Sequence, residues 1–139
     1  MRIFEIIKEN VNLRESPPWF RLTDTKNHND VTIPLSPVLH ELLQLRFSER
    51  NKKVPYVFTA PNNPNEHIRD ARSVMAVVSK IAGKHLSNHD LRRTFLSIAY
   101  ECSVEMWKAE LLTNHVPTAV TVKHYTETSD LRYLADEVG

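Results

Sequence analysis

Glycine is scarce in this chain: of 139 residues only two are glycine. Tight turns that need positive φ are mostly built on it, so a barrel or sandwich with many short hairpins is disfavoured. Cysteine occurs once, as Cys102. That excludes an internal disulfide framework and suits a reducing compartment. No uninterrupted apolar run approaches membrane-spanning length. The opening "MRIFEIIKEN" lacks the shape of a signal peptide, because Glu5 and Lys8 break its apolar part. Neither sign of charge dominates, with 18 basic and 17 acidic residues giving a net charge of +1. Binding of nucleic acid by overall charge is therefore disfavoured, and any phosphate contact must come from a local cluster. These features point to a soluble, intracellular protein.

What remains is ordinary globular material. Apolar residues make up 41% of the chain, and the length fits one domain able to bury a core without staples. "WFRLTDTKNHNDVTIPLS" (Trp19 to Ser36) reads as a β-hairpin. Phe20 and Leu22 alternate with polar residues on one side of a polar turn, and Val31, Ile33 and Leu35 on the other. Pro34 places the second run at a sheet edge or strand end. "SPVLHELLQLRFSER" predicts a helix capped by Ser36, with Pro37 first and Leu39, Leu42, Leu43 and Phe47 buried. "VPYVFTAP" reads as a short strand or extended piece and "NPNEH" as a loop. "IRDARSVMAVVSKIAG" has helical spacing and a stop at Gly83. Beyond Ser87 the pattern is almost wholly helical. "SVEMWKAELL" predicts a helix capped by Ser103, "VPTAVTVKHYT" a short one after Pro117, and "SDLRYLADEV" an amphipathic one with Leu131, Leu134 and Val138 on one side. The fold class expected is α+β, mainly helical, with a small antiparallel sheet near the N-terminus.

"NHDLRRTFLSIAY" (Asn88 to Tyr100) is unusual for a core helix, because it opens with a histidine and two arginines. "SNHD" matches a capping box of Ser87 and Asp90. At 100° per residue, Leu91, Phe95, Ile98 and Cys102 form the expected core stripe. Arg92 then projects from its shoulder and Arg93 from the far side. His89, three residues before Arg92, shares its surface. Both lie in the first turns, where helix N–H groups and the dipole favour an anion. Seven histidines among 139 residues make a His-x-x-Arg pair a roughly even chance, so the pair alone carries little. A salt bridge from Arg92 to Glu5 or Asp90 would explain it equally well.

The downstream stretch "LLTNHVPTAVTVKHYT" (Leu111 to Thr126) changes the weight of that pair. "HDLRRTF" resembles the His-x-x-Arg box of the tyrosine recombinases, or integrases. "LLTNHVPTAVTVKHYT" resembles that family's "LL-x-x-H … HY" box, which ends in the nucleophilic tyrosine. "TDTKNHNDVTIPLS" is similar to its catalytic-lysine hairpin, and "MRIFE" to its Arg-x-x-Glu box, although "RIFE" reaches "KENVNL" sooner than in the family pattern. The four matches run in family order over nearly the whole chain. The variant with Asn before the histidine and His before the tyrosine is most similar to integrases of prophages and genomic islands.

The resemblance implies that residues 1–139 are the catalytic domain of such an enzyme, a fragment without the family's N-terminal DNA-binding domains. It implies breakage and rejoining of DNA strands through a 3′-phosphotyrosyl intermediate, in the cytoplasm and nucleoid of a bacterial host. Tyr125 would be the nucleophile and His89 its proton acceptor. Arg92 and Arg2 would hold the non-bridging oxygens, His115 would donate a hydrogen bond to the phosphate, and Lys26 would protonate the leaving 5′-oxygen. Glu5 would orient an arginine or histidine. Arg93, Lys123 and His124 would contact the DNA backbone, although plain solvation or packing explains each of them as simply. No ATP is implied, since the bond energy is conserved in the phosphotyrosine, and no cofactor or metal, since the arginines would stabilise the charge and no Asp/Glu and His residues group at ligand spacing. The partners implied are double-stranded DNA and further copies of the chain in a tetramer on DNA. In a monomer the last helix could fold back on its own core; in the family the C-terminal segment often docks on a neighbouring protomer. Two other readings share the residues: a type IB topoisomerase-like nicking and closing enzyme, and a catalytically silent DNA-binding module of the same fold.

Overall fold

The computed structural model describes residues 3–25, 30–49, 53–114 and 130–139. The chain forms two compact units, Met1–Arg69 with Glu127–Gly139, and Asp70–Thr126. The architecture is α+β, with an antiparallel three-stranded sheet near the N-terminus.

The first unit is built on the expected hairpin. β1 (Val11–Asn12), β2 (Trp19–Leu22) and β3 (Val31–Pro34) lie in that order across the sheet. Register is set by Phe20 opposite Ile33 and Leu22 opposite Val31. Pro34 closes β3, where its missing N–H interrupts no ladder within the sheet. α1 (Pro37–Glu49) follows at once. Its cap is as expected: the Leu39 N–H donates to Ser36 Oγ at 3.3 Å.

The packed face of α1 differs from the expected stripe. Leu43 is buried and Phe47 packs on the core, but Leu39 and Leu42 are 38% and 58% exposed. The reason is polar. His40 Nε2 reaches the Leu13 carbonyl at 3.1 Å, and Arg46 Nε donates to the Val57 carbonyl at 3.1 Å. These two satisfy carbonyls beneath the helix, so the inward face runs through His40, Leu43, Arg46 and Phe47. An apolar count alone assigns that face to leucines.

The core gathers Ile6, Leu35, Leu43 and Val57, with Phe20, Leu22, Phe47 and Phe58 packed around them. Each such side chain contributes about 1.5–3 kcal/mol on leaving water. Residues near the N-terminus reach the core by pairing with the "VPYV" stretch: the Val57 N–H donates to the Ile6 carbonyl and the Lys8 N–H to the Pro55 carbonyl, both at 2.9 Å. "NPNEH" is a strand rather than a loop. β5 (Asn63–His67) pairs antiparallel with β4 (Thr59–Ala60). Its polar side chains carry no alternation, because β5 is held by main-chain bonds and has three successive exposed residues at its centre. Pro64 is tolerated in so exposed a strand.

The C-terminal segment docks on the same unit. Asp130 bridges Thr32 in parallel, and the Leu131 N–H donates to the Thr32 carbonyl at 2.8 Å. Leu131 and Leu134 are 3% and 1% exposed. The expected amphipathic α-helix is a 3-10 helix over Arg132–Glu137, with Leu134 at a kink. Its outer side is tied by Arg132, which grips Asp130 and also reaches Glu15 Oε2 at 3.0 Å. Glu15 in turn accepts the Trp19 indole N–H at 2.8 Å.

The second unit is helical among its described residues. α2 (Arg72–Ala82) stops where predicted, with Gly83 in the left-handed region at φ 67°. The Lys84 N–H returns to the Ser79 carbonyl and the Gly83 N–H to the Lys80 carbonyl, the paired bonds of a Schellman closure. α3 (Asn88–Glu101) ends the same way, but on a serine. Ser103 takes φ 60°, and the Val104 N–H returns to the Ala99 carbonyl at 2.9 Å. Ser103 therefore ends α3 and does not cap the next helix. α4 (Met106–Leu112) begins after Glu105, with no side-chain cap bond. The predicted helix after Pro117 lies outside the described residues. Among the described residues, no helix is long and apolar enough to cross a membrane.

Candidate active site

The first turn of α3 is shaped by the capping box read from "SNHD". Ser87 Oγ accepts the Asp90 N–H at 3.4 Å. The Asp90 carboxylate accepts both the Ser87 hydroxyl at 2.6 Å and the Ser87 N–H at 2.8 Å. The Ser87 hydroxyl, followed by its N–H, holds the Asp90 carboxyl below its ordinary range; desolvation opposes this, and the charges of Arg93 and His89 add to it. A negative group thus already sits at the positive end of the helix dipole. The capping box read from the sequence is thus present, and it already occupies N–H groups at this helix end. An incoming anion there must be held by the side chains of the turn.

The buried stripe of α3 is also not the expected one. Leu91 and Ile98 are 52% and 53% exposed and Cys102 is exposed, while Ala99 is 7% exposed and Phe95 and Leu96 are half-buried. Arg92, Phe95, Leu96 and Ala99 fall at helical spacing on one face. Arg92 therefore lies in line with the packed face rather than on its shoulder. α3 turns this face because its neighbour α4 buries Ala109 and Leu111. The small Ala99 permits close approach, which the bulkier Leu91 and Ile98 would prevent.

Arg92 remains exposed, and Nη2 donates to the Thr113 carbonyl at 2.5 Å. That carbonyl belongs to the end of α4, where helical carbonyls lack intrahelical partners. Asn114 closes the same end in the left-handed region at φ 53°, with its N–H on the Leu111 carbonyl at 2.8 Å. Asparagine is among the few residues that adopt this conformation readily. So the arginine of "HDLRR" is anchored to the last turn of "LLTN", immediately before His115. The salt-bridge alternative to Asp90 is not what forms, since the carboxylate of Asp90 is taken by Ser87. A guanidinium has five N–H donors, so one bond to a carbonyl leaves most of its fork for an anion.

The other expected residues are placed as follows. His89 is exposed on the first turn of α3. Arg93 is exposed one position beyond Arg92 and lines an open groove with Lys84, His85 and Thr94. Glu5 is half-buried in the 3-10 turn Ile3–Glu5 of the first unit. Arg2, Lys26, His115, Lys123, His124 and Tyr125 lie outside the described residues. Among the described residues, no three His, Cys, Asp or Glu side chains are grouped to hold a metal ion. The Thr113 carbonyl was missed by sequence reasoning, which sees side chains; the asparagine after "LLT" was the signal of a helix end that exposes it. No family model, curated protein or solved structure matches the chain.

Proposed function

We propose that this chain is the catalytic domain of a site-specific DNA recombinase of the tyrosine type, an integrase. The observation that carries the reading is the bond from Arg92 to the Thr113 carbonyl. It brings the His-x-x-Arg box against the start of the "NH … HY" box, two motifs that the sequence separates by some twenty residues. A phosphate-binding arginine needs such an anchor, because an unrestrained guanidinium loses side-chain entropy on each ligand it orders.

In this reading the Tyr125 hydroxyl attacks a DNA phosphodiester, forming the Oη–P bond as the P–O5′ bond breaks. His89 takes the phenol proton and Lys26 supplies one to the departing 5′-oxygen. Arg92 and Arg2 neutralise the charge that builds on the non-bridging oxygens, aided by a hydrogen bond from His115. The 5′-hydroxyl of a partner strand reverses the step on a tetramer assembled on DNA. The test is a nicked suicide duplex, from which the 5′-hydroxyl fragment escapes and traps the adduct. The wild-type protein is expected to become covalently linked to the 3′ end, and Tyr125→Phe to give none. Equal adduct from Tyr125→Phe, or none from wild type carrying its DNA-binding domains, would sink the reading.

A further inference from the structure

Two helices of this chain turn apolar stripes to solvent. On α1 the inward face is taken by His40, Leu43, Arg46 and Phe47, which leaves Val38, Leu42 and Leu45 outside. Val38 is 68% exposed, and the two leucines are more than half exposed. On α2 no residue is buried. Val74 and Val77 are more than half exposed, and Ile81 is 81% exposed. Each stripe follows the three-and-four spacing of a helix–helix seam, at positions 38, 42 and 45 on α1 and 74, 77 and 81 on α2. Each runs seven positions from its first residue to its last, which is about 10 Å of helix. The two stripes are therefore matched in length.

α2 needs a cover more than most helices do. It has 11 residues, and an isolated helix shorter than about 12–15 residues is marginal in water. Its stripe is β-branched, with Val78 beside it, and β-branched residues lower helix propensity. Neither propensity nor burial accounts for valine and isoleucine at these positions. Packing against a partner helix does.

Charge selects the partner. Glu41 and Glu49 stand beside the α1 stripe and Lys80 beside the α2 stripe, all three exposed. Among the described residues no cation pairs with either glutamate and no carboxylate with Lys80. The basic side chains of α1 are turned inward to carbonyls. On α2, Arg72 is bound to Asp70 at 2.7 Å and falls on the face opposite the stripe at 100° per residue. Two α1 helices laid together would oppose carboxylates, and two α2 helices would oppose ammonium groups; both pairings are penalised. α1 against α2 brings opposite signs together. Glu41 precedes Leu42 as Lys80 precedes Ile81, so each flanks its stripe on the same side, and antiparallel packing sets the two side by side.

We propose that α1 of one copy of this chain packs antiparallel on α2 of a second copy, with Glu41 beside Lys80. The contact needs neither DNA nor the recombinase reading. It is also separate from the C-terminal segment, whose Leu131 and Leu134 are buried on the chain's own sheet. Such a contact is heterologous: each pair leaves one α1 and one α2 open, so assembly continues past two copies to a ring or a chain. A stripe three side chains long buries less than the roughly 800 Å² per partner of a stable complex, so association is weak and shows at high protein concentration. The test is the mass of the full chain in solution, read by sedimentation without DNA. Wild type is expected to exceed a dimer at high concentration. Leu42→Glu and Val77→Glu each block one stripe, and each alone is expected to be monomeric. Their equimolar mixture is expected to form a dimer and stop there, since one copy keeps its α2 stripe and the other its α1 stripe. Glu41→Lys is expected to weaken assembly, and Glu41→Lys/Lys80→Glu to restore it. All four side chains are exposed, so an unchanged urea midpoint shows that folding is intact. A monomeric wild type overturns the proposal and leaves the stripes to a different protein. A monomeric mixture overturns it too, as does assembly of Val77→Glu alone equal to wild type, which would mark α1 pairing with itself.

Discussion

Replacing Ser87 by alanine tests how the first turn of α3 is held. The substitution removes two of the three bonds of the capping box: the one accepted from the Asp90 N–H and the one donated to the Asp90 carboxylate. The Ser87 N–H can still reach that carboxylate. A serine N-cap is worth about 1 kcal/mol, within a range of 0.5–2. The 3.4 Å cap bond is long, which argues for the lower half, while the short hydroxyl–carboxylate bond argues for the upper. A loss of about 1 kcal/mol is expected, or about 0.5 M in the urea midpoint for a slope near 2 kcal/mol/M. Ser87→Ala combined with Asp90→Ala is expected to cost less than the two single losses together, because they break shared bonds. The pH dependence has a fixed sign. Asp90 ionises more readily folded than unfolded, so the box contributes stability above about pH 4 and loses it as pH falls through the lower folded value. On the proposed recombinase reading, adduct formation by Ser87→Ala falls as well, since His89 and Arg92 stand at the same end of α3. A urea midpoint unchanged by Ser87→Ala, or a double variant fully additive, would refute this account of the helix start.

Four further outcomes follow from the structure. On the proposed recombinase reading, Arg92→Ala is expected to slow adduct formation about 10²–10³-fold, as for loss of one charge-stabilising donor. Arg92→Lys should recover only part of this, because lysine lacks the planar fork; single-turnover rates on the nicked duplex decide it. Gly83→Ala should cost about 1 kcal/mol in urea unfolding, from the left-handed φ of 67° alone, since nothing lies within 4 Å of the added Cβ; Gly83→Asn should cost less. Leu134→Ala is expected to cost about 3 kcal/mol, and a loss under about 1 kcal/mol would mean that the C-terminal segment is not packed on its sheet. Finally, the Arg132 hydrogen bonds hold the Asp130 carboxyl below its ordinary range, against the opposing effect of desolvation. The contact contributes stability above the ordinary carboxylate range and weakens as pH falls through the lower folded value. Trp19 fluorescence in a Trp107→Phe background should report it, since the Arg132 guanidinium lies 5.9 Å from the Trp19 ring centroid.

Local signals were readable in the sequence and tertiary ones were not. The box at Ser87 and Asp90, the stop at Gly83, the cap at Ser36 and the hairpin through Trp19 and Pro34 are all settled within a few residues. "NPNEH" failed because an exposed strand held by main-chain bonds leaves no apolar alternation to read. Ser103 failed because a serine signals a helix start far more often than the left-handed end it supplies here. The faces of α1 and α3 failed because leucines were counted: on α1 His40 and Arg46 turn inward to carbonyls, and on α3 the small Ala99 sets the packed face while Arg92 stays exposed. Of the candidate site, the motifs named Arg92 and His89, and the structure adds what Arg92 leans on.

The docking of Leu131 and Leu134 on the first unit has a consequence for how the protein is made. That unit is discontinuous: its sheet and α1 are translated early, and the leucines that finish it come last. At 5–20 residues per second, Leu134 follows Arg69 by roughly 3–13 s. Throughout that interval the whole second unit is being synthesised, while the Thr32 carbonyl on β3 waits without the amide it will accept. An open strand edge of this kind invites pairing with another chain. Released chains truncated before Asp130 should therefore lean on chaperones more than released chains that carry Leu131 and Leu134.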